Sequence, residues 1–157
     1  VVDIDGTLAE VGFRRRRLLE TRPVDWEAFY GDPFDDLPRG NVCAFVKHVA
    51  RQFEVMFCTS RRECVREKTQ QWLLRHLGFA PGDYTLIMRE HGDTRPDYIQ
   101  KLDQFFKETT AEERERVLFV LEDDLTVALR WRLRGFTCFV VDDYGGWIKI
   151  HRGLLDW

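Results

Sequence analysis

Residues 1–7 read Val-Val-Asp-Ile-Asp-Gly-Thr, an apolar pair followed by two aspartates, a glycine and a threonine. The apolar pair is typical of the end of a buried strand, and such strands usually run for about four to eight residues. We therefore expect the natural strand to start upstream of Val1. Asp3 and Asp5 lie two residues apart, which places both on one side of an extended chain. Gly6 allows the chain to turn tightly after them.

Apolar strands alternate with helical patterns along the rest of the chain. Further strands are predicted at 55–58, 85–88, 117–121 and 139–141, and helices at 42–53, 63–77, 96–109 and 126–133. This alternation is typical of a parallel sheet with helices on both faces. The predicted fold is a three-layer, Rossmannoid α/β domain over residues 1–157, with a small cap or lid insertion at about 10–40.

Two helices carry features that the structure can test directly. The first should bury one face, formed by Val42, Phe45, Val46, Val49 and Phe53. The second should end at Gly78, because glycine commonly closes a helix in the left-handed conformation.

Composition excludes several classes of protein. The chain has 157 residues, 44% of them hydrophobic, which is enough to build a core. Its formal net charge is −3, so any polyanionic partner must meet a local basic patch. No apolar run is long enough to span a bilayer and no signal peptide is visible, so no membrane partner is expected. The four cysteines are scattered, which argues against zinc or a disulfide framework and favours a cytoplasmic location.

Polar residues follow each predicted strand where the carboxyl ends of a parallel sheet collect ligands. The second strand leads into Thr59-Ser60-Arg61, the third into Arg89, and the fourth into Glu122-Asp123-Asp124. Together with the two aspartates of the opening stretch, up to five carboxylates should converge at this edge.

Clustered carboxylates repel each other, and a bound hard cation removes the conflict. Oxygen ligands without histidine or cysteine favour magnesium, which would also neutralise a phosphate group. Asp3, Asp5, Glu122, Asp123 and Asp124 are therefore the candidate Mg²⁺ ligands.

The same residues predict phosphotransfer chemistry. Asp3 is placed to attack phosphorus, and Asp5 to protonate the leaving oxygen and then activate water. Gly6 allows close approach to the phosphate, and the hydroxyl groups of Thr7 and Thr59 can bind its oxygens. Thr59 could instead cap the helix that follows it, because serine and threonine are common near helix starts.

These motifs resemble those of the haloacid-dehalogenase (HAD) superfamily, with residues 3–7 as the first motif. The resemblance implies that Thr59 is the second motif, Lys101 the third, and Glu122-Asp123 the fourth. It gives Thr59 and Lys101 catalytic roles and makes Asp3 the site of an aspartyl-phosphate intermediate. It also favours Asp3, Asp5 and Asp123 as the Mg²⁺ ligands, ahead of Glu122 and Asp124.

A closer resemblance lies in residues 89–97, which read Arg-Glu-His-Gly-Asp-Thr-Arg-Pro-Asp and are followed by Lys101. This run is similar to that of bacteriophage polynucleotide kinase-phosphatases, and the similarity extends over about residues 1–143. It implies removal of a 3′-phosphate from a polynucleotide or nucleotide. The implied substrate-binding residues are Gly6, Thr7, Arg14, Ser60, Arg61 and Asp97.

The chain departs from that family at three places. Ser60 stands where glycine is usual, and Glu122 where aspartate is usual. The segment 22–38 is longer than its counterpart, and its aromatic residues (Trp26, Phe29 and Tyr30) either stack on a base or form the core of a small lid.

Two other functions stay open at this stage. One is a phosphatase for a small molecule or a 5′-nucleotide, and the other is a non-catalytic module that binds nucleic-acid ends. DNA, RNA and mononucleotides are all possible substrates. The sequence has no G-x-x-x-x-G-K-[ST] motif, so a kinase activity, if the protein has one, lies upstream or on another polypeptide. A kinase or ligase domain on the same or another chain is a candidate partner.

Overall fold

The computed structural model describes residues 1–12 and 35–141. The strands are β1 (Ala9–Glu10), β2 (Leu37–Pro38), β3 (Val55–Arg62), β4 (Tyr84–Arg89), β5 (Val120–Glu122) and β6 (Cys138–Val140). The helices are α1 (Gly40–Val49), α2 (Arg66–Leu77), α3 (Asp97–Glu108), α4 (Ala111–Glu115) and α5 (Leu125–Leu133), with a 3₁₀ turn at Glu63–Val65 before α2.

The opening residues join the two halves of a parallel sheet. β3 pairs with β4, and β5 pairs with β6, in both cases in parallel. Val2 lies between these pairs and forms parallel bridges with Phe57 of β3 and Leu121 of β5. The order across the sheet is therefore β4, β3, Val2, β5, β6. Asp3 follows directly at the carboxyl edge, as predicted for the end of a first strand.

Alternate strand residues belong to two separate hydrophobic clusters. Phe57 lies in a cluster with residues of α1 and α2, including Trp72. Its neighbour Cys58 lies in a second cluster with residues of α3 and α5, including Phe105 and Trp131. Successive side chains of a strand point to opposite faces, which is how neighbouring residues of β3 reach different clusters. The predicted α/β fold with parallel strands and helices is confirmed.

Most predicted elements are present with shifted ends. The second predicted helix begins as the 3₁₀ turn and continues as α2, and Gly78 closes it with a φ of +78° as predicted. Helix α4 was not predicted. It is one short turn held by a capping box between Thr110 and Glu113.

The predicted buried face of the first helix is partly wrong. Helix α1 ends at Val49, and Phe53 lies beyond it with 48% of its surface exposed. Phe45 is equally exposed, with its ring 6.2 Å from that of Phe119, whereas Cys43 and Val46 are buried. Helix α1 is shorter than the apolar pattern predicted, so Phe53 does not extend its buried face.

The start and end of the predicted insertion are tied together. Ala9 pairs with Pro38 and Glu10 with Leu37 in an antiparallel ladder. The predicted residues Arg14, Trp26, Phe29 and Tyr30 lie outside the described residues, so their roles stay predictions. Within residues 1–12 and 35–141, no helix has both the length and the apolar character needed to cross a bilayer.

The aromatic cluster between α3 and α5 makes the fold testable. Trp131 is fully buried, with its ring centroid 4.9 Å from that of Phe105 and 5.4 Å from that of Phe136. Trp131→Ala should lower the free energy of unfolding by about 3–5 kcal/mol, because it leaves a large cavity. Leu129→Ala on the same helix removes a side chain that is 54% exposed, and should cost less than about 0.5 kcal/mol. Chemical denaturation measures both, and equal losses would contradict this packing.

Candidate active site

Asp3 is buried at the carboxyl edge of the sheet, with a donor on each carboxylate oxygen. Lys101 Nζ donates to Oδ1 at 2.8 Å, and Thr7 Oγ1 donates to Oδ2 at 2.9 Å. Burial raises the pKa of Asp3, and the nearby charge of Lys101 opposes this shift. The predicted nucleophile is therefore held in one orientation by residues from two motifs.

Lys101 joins two carboxylates that are distant in sequence. Besides Asp3, its Nζ donates to Glu122 Oε2 at 2.8 Å, and all three side chains are buried. Burial alone would lower the pKa of Lys101, but the two carboxylates outweigh it and raise this pKa well above its ordinary value. Lys101 is thus held in its charged form.

Three acids and one lysine meet at this site. Carboxylate oxygens of Asp3, Glu122 and Asp123 lie within 4.8 Å of one another. Burial, and then the neighbouring Asp3 carboxylate, raise the pKa of Glu122 well above its usual range. Lys101 contacts two of the three acids, so a further cation would relieve the remaining repulsion. An all-oxygen donor set of this kind fits a hard divalent ion such as Mg²⁺.

The other two predicted metal ligands have different contacts. Asp5 is not among the three converging acids. Asp124 caps helix α5, with Oδ1 accepting from the backbone N–H of Thr126 at 2.7 Å and of Val127 at 3.2 Å. Asp124 therefore caps helix α5, a role that was not predicted from the sequence.

Glu122 also shapes the loop that carries these acids. Its Oε1 accepts from the backbone N–H groups of Asp123 and Asp124, both at 3.2 Å. Its Oε2 accepts from Lys101. Glu122 therefore links the lysine to the loop on which Asp123 lies, a contact that its longer side chain can reach.

Gly6 leaves space for Asp123. A Cβ atom at position 6 would lie 1.9 Å from Asp123 Oδ2, and the φ of Gly6 is +94°. Both facts require glycine here. The sequence predicted close approach to a phosphate at this position, and the structure adds close approach to an acidic ligand.

Asp5 faces Arg61, which is fully buried. Arg61 Nε donates to Asp5 Oδ2 at 3.0 Å, and Arg61 Nη2 donates to Asp5 Oδ1 at 2.8 Å. Such a forked contact fixes the plane of a carboxylate as well as its position. Arg61 was predicted to bind phosphate. Its observed contact is with the predicted acid/base.

The hydroxyl groups after the second strand lie at the same edge. Thr59 Oγ1 accepts from the backbone N–H of Arg61 at 3.2 Å, and the register between β3 and β4 shifts between Cys58 and Arg62. Ser60 is buried, and its Oγ has no hydrogen-bond partner among residues 1–12 and 35–141. A buried hydroxyl of this kind can bind a phosphate oxygen.

A family comparison agrees with this arrangement. The model of the polynucleotide kinase PNKP phosphatase domain matches residues 1–145. This chain belongs to that family. No curated protein sequence is significantly similar to the chain.

Two solved structures contain chains similar to this phosphatase domain, each at 28% identity over 90% of it. One is a Pnkp1/Rnl/Hen1 complex, with a TM-score of 0.67 and 44% of that chain covered. The other is a Pnkp1/Rnl/Hen1 RNA repair complex, with a TM-score of 0.69 and 41% covered. The present chain therefore spans less than half of either neighbour.

The motif after β4 folds around its own arginine. Arg89 is buried, and its Nη1 donates to the backbone carbonyls of Asp93 at 3.1 Å and Arg95 at 2.9 Å. Its Nη2 pairs with the carboxylate of Asp97, whose side chain is 46% exposed. Asp97 was predicted to bind substrate. In the structure it holds Arg89 at the start of α3, one helical turn from Lys101.

Sequence reasoning missed Asp36 as a site residue of this phosphatase domain. Asp36 is buried, and its Oδ2 lies 3.4 Å from Arg61 Nη2. It lies in the predicted insertion and belongs to no motif, so no sequence pattern marked it. Arg89 was noted at a strand end, but its pairing with Asp97 was not predicted.

The different contacts of Asp123 and Asp124 generate a test. Asp123→Asn should abolish Mg²⁺ binding at this site, because it removes a carboxylate from the converging group. Asp124→Ala should lower the free energy of unfolding by about 1 kcal/mol through loss of the cap, with Mg²⁺ affinity retained. Calorimetric titration with Mg²⁺ and thermal melting separate the two effects. Loss of Mg²⁺ binding in Asp124→Ala alone would contradict this assignment.

Proposed function

We propose that this chain is a magnesium-dependent phosphatase that removes the 3′-phosphate from polynucleotide ends or nucleotides through an aspartyl-phosphate on Asp3. One observation carries the proposal. Asp3 is buried with Lys101 on one oxygen and Thr7 on the other, and Asp5 is held two residues away. Membership of a polynucleotide kinase phosphatase-domain family supports the substrate class.

The wider architecture is proposed on the same basis. The two hydrophobic clusters support a three-layer, HAD-like domain, and the antiparallel β1–β2 pair supports a cap inserted at about 10–40. Residues 1–157 are taken as one phosphatase domain acting in the cytoplasm.

In the first proposed step, an Asp3 oxygen attacks phosphorus. The bond from phosphorus to the leaving oxygen breaks, and the protonated carboxyl of Asp5 supplies the proton that this oxygen needs. Lys101 balances charge on the phosphorylated Asp3 carboxyl. The product alcohol then departs.

In the second step, the Asp5 carboxylate takes a proton from water as the water oxygen attacks phosphorus. The bond between the Asp3 oxygen and phosphorus breaks, inorganic phosphate leaves, and Asp5 is protonated again. Mg²⁺ held by Asp3 and Asp123, with Glu122 adjoining, would neutralise the phosphate oxygens. Asp5 stays a predicted ligand of this ion.

The phosphate and the nucleotide are proposed to contact polar groups around this centre. Thr59 and Ser60 are placed to donate to phosphate oxygens. Arg14, Arg61 and Asp97 complete the substrate set implied by the family resemblance.

The proposed setting is nucleic-acid repair. Both solved neighbours are chains from complexes that contain Rnl and Hen1, and one is described as an RNA repair complex. We propose that the present phosphatase works beside a kinase or ligase on the same polypeptide or on a partner.

A substrate panel tests this function. The wild type should release phosphate from 3′-phosphorylated DNA or RNA in the presence of Mg²⁺, and EDTA should abolish release. Asp3→Asn should lose turnover, because the nucleophile is gone, whereas Asp83→Asn at an exposed loop should retain it. Malachite-green detection measures the released phosphate.

The same panel includes the 5′-phosphorylated oligonucleotides and small phosphomonoesters. Faster release from these than from 3′-phosphates would favour the metabolite or 5′-nucleotide phosphatase. Binding of nucleic-acid ends without any turnover would favour a non-catalytic module.

A further inference from the structure

Asp36 belongs to no sequence motif, but it contacts the arginine that holds the predicted acid/base, Asp5. It is buried where the described chain resumes at the end of the predicted insertion. Its Oδ2 lies 3.4 Å from Arg61 Nη2, and Arg61 in turn holds Asp5. We propose that Asp36 is a positioning residue that acts through Arg61 to orient Asp5 toward the leaving oxygen, an inference that rests on the proposed phosphatase function.

Arg61 can couple the position of Asp36 to that of Asp5 because its guanidinium contacts polar side chains on several sides. Two of its nitrogens hold Asp5, Nη1 lies 3.4 Å from Thr69 Oγ1, and Nη2 reaches Asp36. The contact with Asp5 is short, whereas those with Thr69 and Asp36 are long. The two 3.4 Å contacts are weak individually, and together with the Asp5 pair they place acceptors on several sides of the planar group.

Asp36 is itself fixed to the core. Its backbone carbonyl accepts from Trp72 Nε1 at 2.8 Å, and Trp72 is fully buried in helix α2. The Trp72 ring also lies beside Arg61, with 5.7 Å between its centroid and Arg61 Cζ. Thr69 lies one turn earlier on the same helix, so α2 supports both Asp36 and Arg61.

The chain next to Asp36 is also fixed to the loop that follows Asp5. Leu37 pairs with Glu10, and the backbone N–H of Arg39 donates to the carbonyl of Leu8 at 2.7 Å. Asp36 is thus positioned from two directions, by helix α2 and by the segment after the catalytic loop. This double attachment is what a group that orients another side chain requires.

The consequence for catalysis depends on the leaving group. A nucleoside alcohol leaves as a poor anion and needs the Asp5 proton as the bond breaks, whereas an aryl oxide such as p-nitrophenolate leaves without it. A displaced Asp5 should therefore slow cleavage of alkyl phosphates and spare aryl phosphates. General loss of structure would slow both.

The experiment compares kcat/KM of Asp36→Asn for a 3′-phosphorylated oligonucleotide and for p-nitrophenyl phosphate. The value of kcat/KM reflects the steps up to and including departure of the alcohol, so the later attack by water does not affect it. We expect a fall of about tenfold or more for the oligonucleotide and of less than about twofold for the aryl ester. Asp35→Asn alters the exposed neighbour of Asp36 and should change neither value.

A second variant guards against misfolding. Trp72→Phe keeps an aromatic ring in the core but removes the donor to the Asp36 carbonyl. It should cause the same selective fall in kcat/KM for the oligonucleotide, but a smaller one. Thermal melting reports the stability of both variants. Equal losses for the two esters, or no loss for either, would overturn the role of Asp36.

Failure of the proposed function and failure of the proposed role of Asp36 give different results. If the wild type prefers an alkyl phosphate other than a 3′-phosphate, that substrate replaces the oligonucleotide. A selective loss on it would then support the role of Asp36, although the assigned substrate class would be wrong.

Discussion

Lys101 is buried between the carboxylates of Asp3 and Glu122, and the rest of the site depends on this contact. Burying an ammonium group is costly unless partners compensate its charge, and removing one partner of a buried pair commonly costs about 3–5 kcal/mol. The three residues come from the end of the first strand, from α3 and from β5. Asp3, the proposed nucleophile, is therefore oriented only when distant parts of the chain have folded together.

The charge balance around Lys101 also explains why the site should attract a cation. Three carboxylates converge, and the lysine contacts two of them. Asp5 is separated from this group by its pairing with Arg61. Two aspartates that lie two residues apart thus meet different partners, Lys101 and Thr7 for Asp3 and Arg61 for Asp5.

The sequence predicted those parts of the molecule that depend on local pattern. The acidic turn after an apolar pair, the alternation of strands and helices, and the closure of α2 at Gly78 all follow from neighbouring residues. Contacts between residues that are distant in sequence could not be predicted from local patterns. Nothing local distinguishes Asp36 from its exposed neighbour Asp35, and the inclusion of Glu122 among the acids did not reveal its bond to Lys101. Phe45 and Phe53 fitted a helical pattern that continues beyond the true end of α1.

The most direct measurement of the central claim locates the transferred phosphoryl group. A 3′-phosphorylated oligonucleotide with labelled phosphate is mixed with the enzyme, quenched in acid during turnover, and digested for mass spectrometry. The account predicts label on the peptide that contains Asp3, in a bond that hydroxylamine cleaves, and no label in Asp3→Asn. Label on another residue, or phosphate release by Asp3→Asn at the wild-type rate, would contradict it.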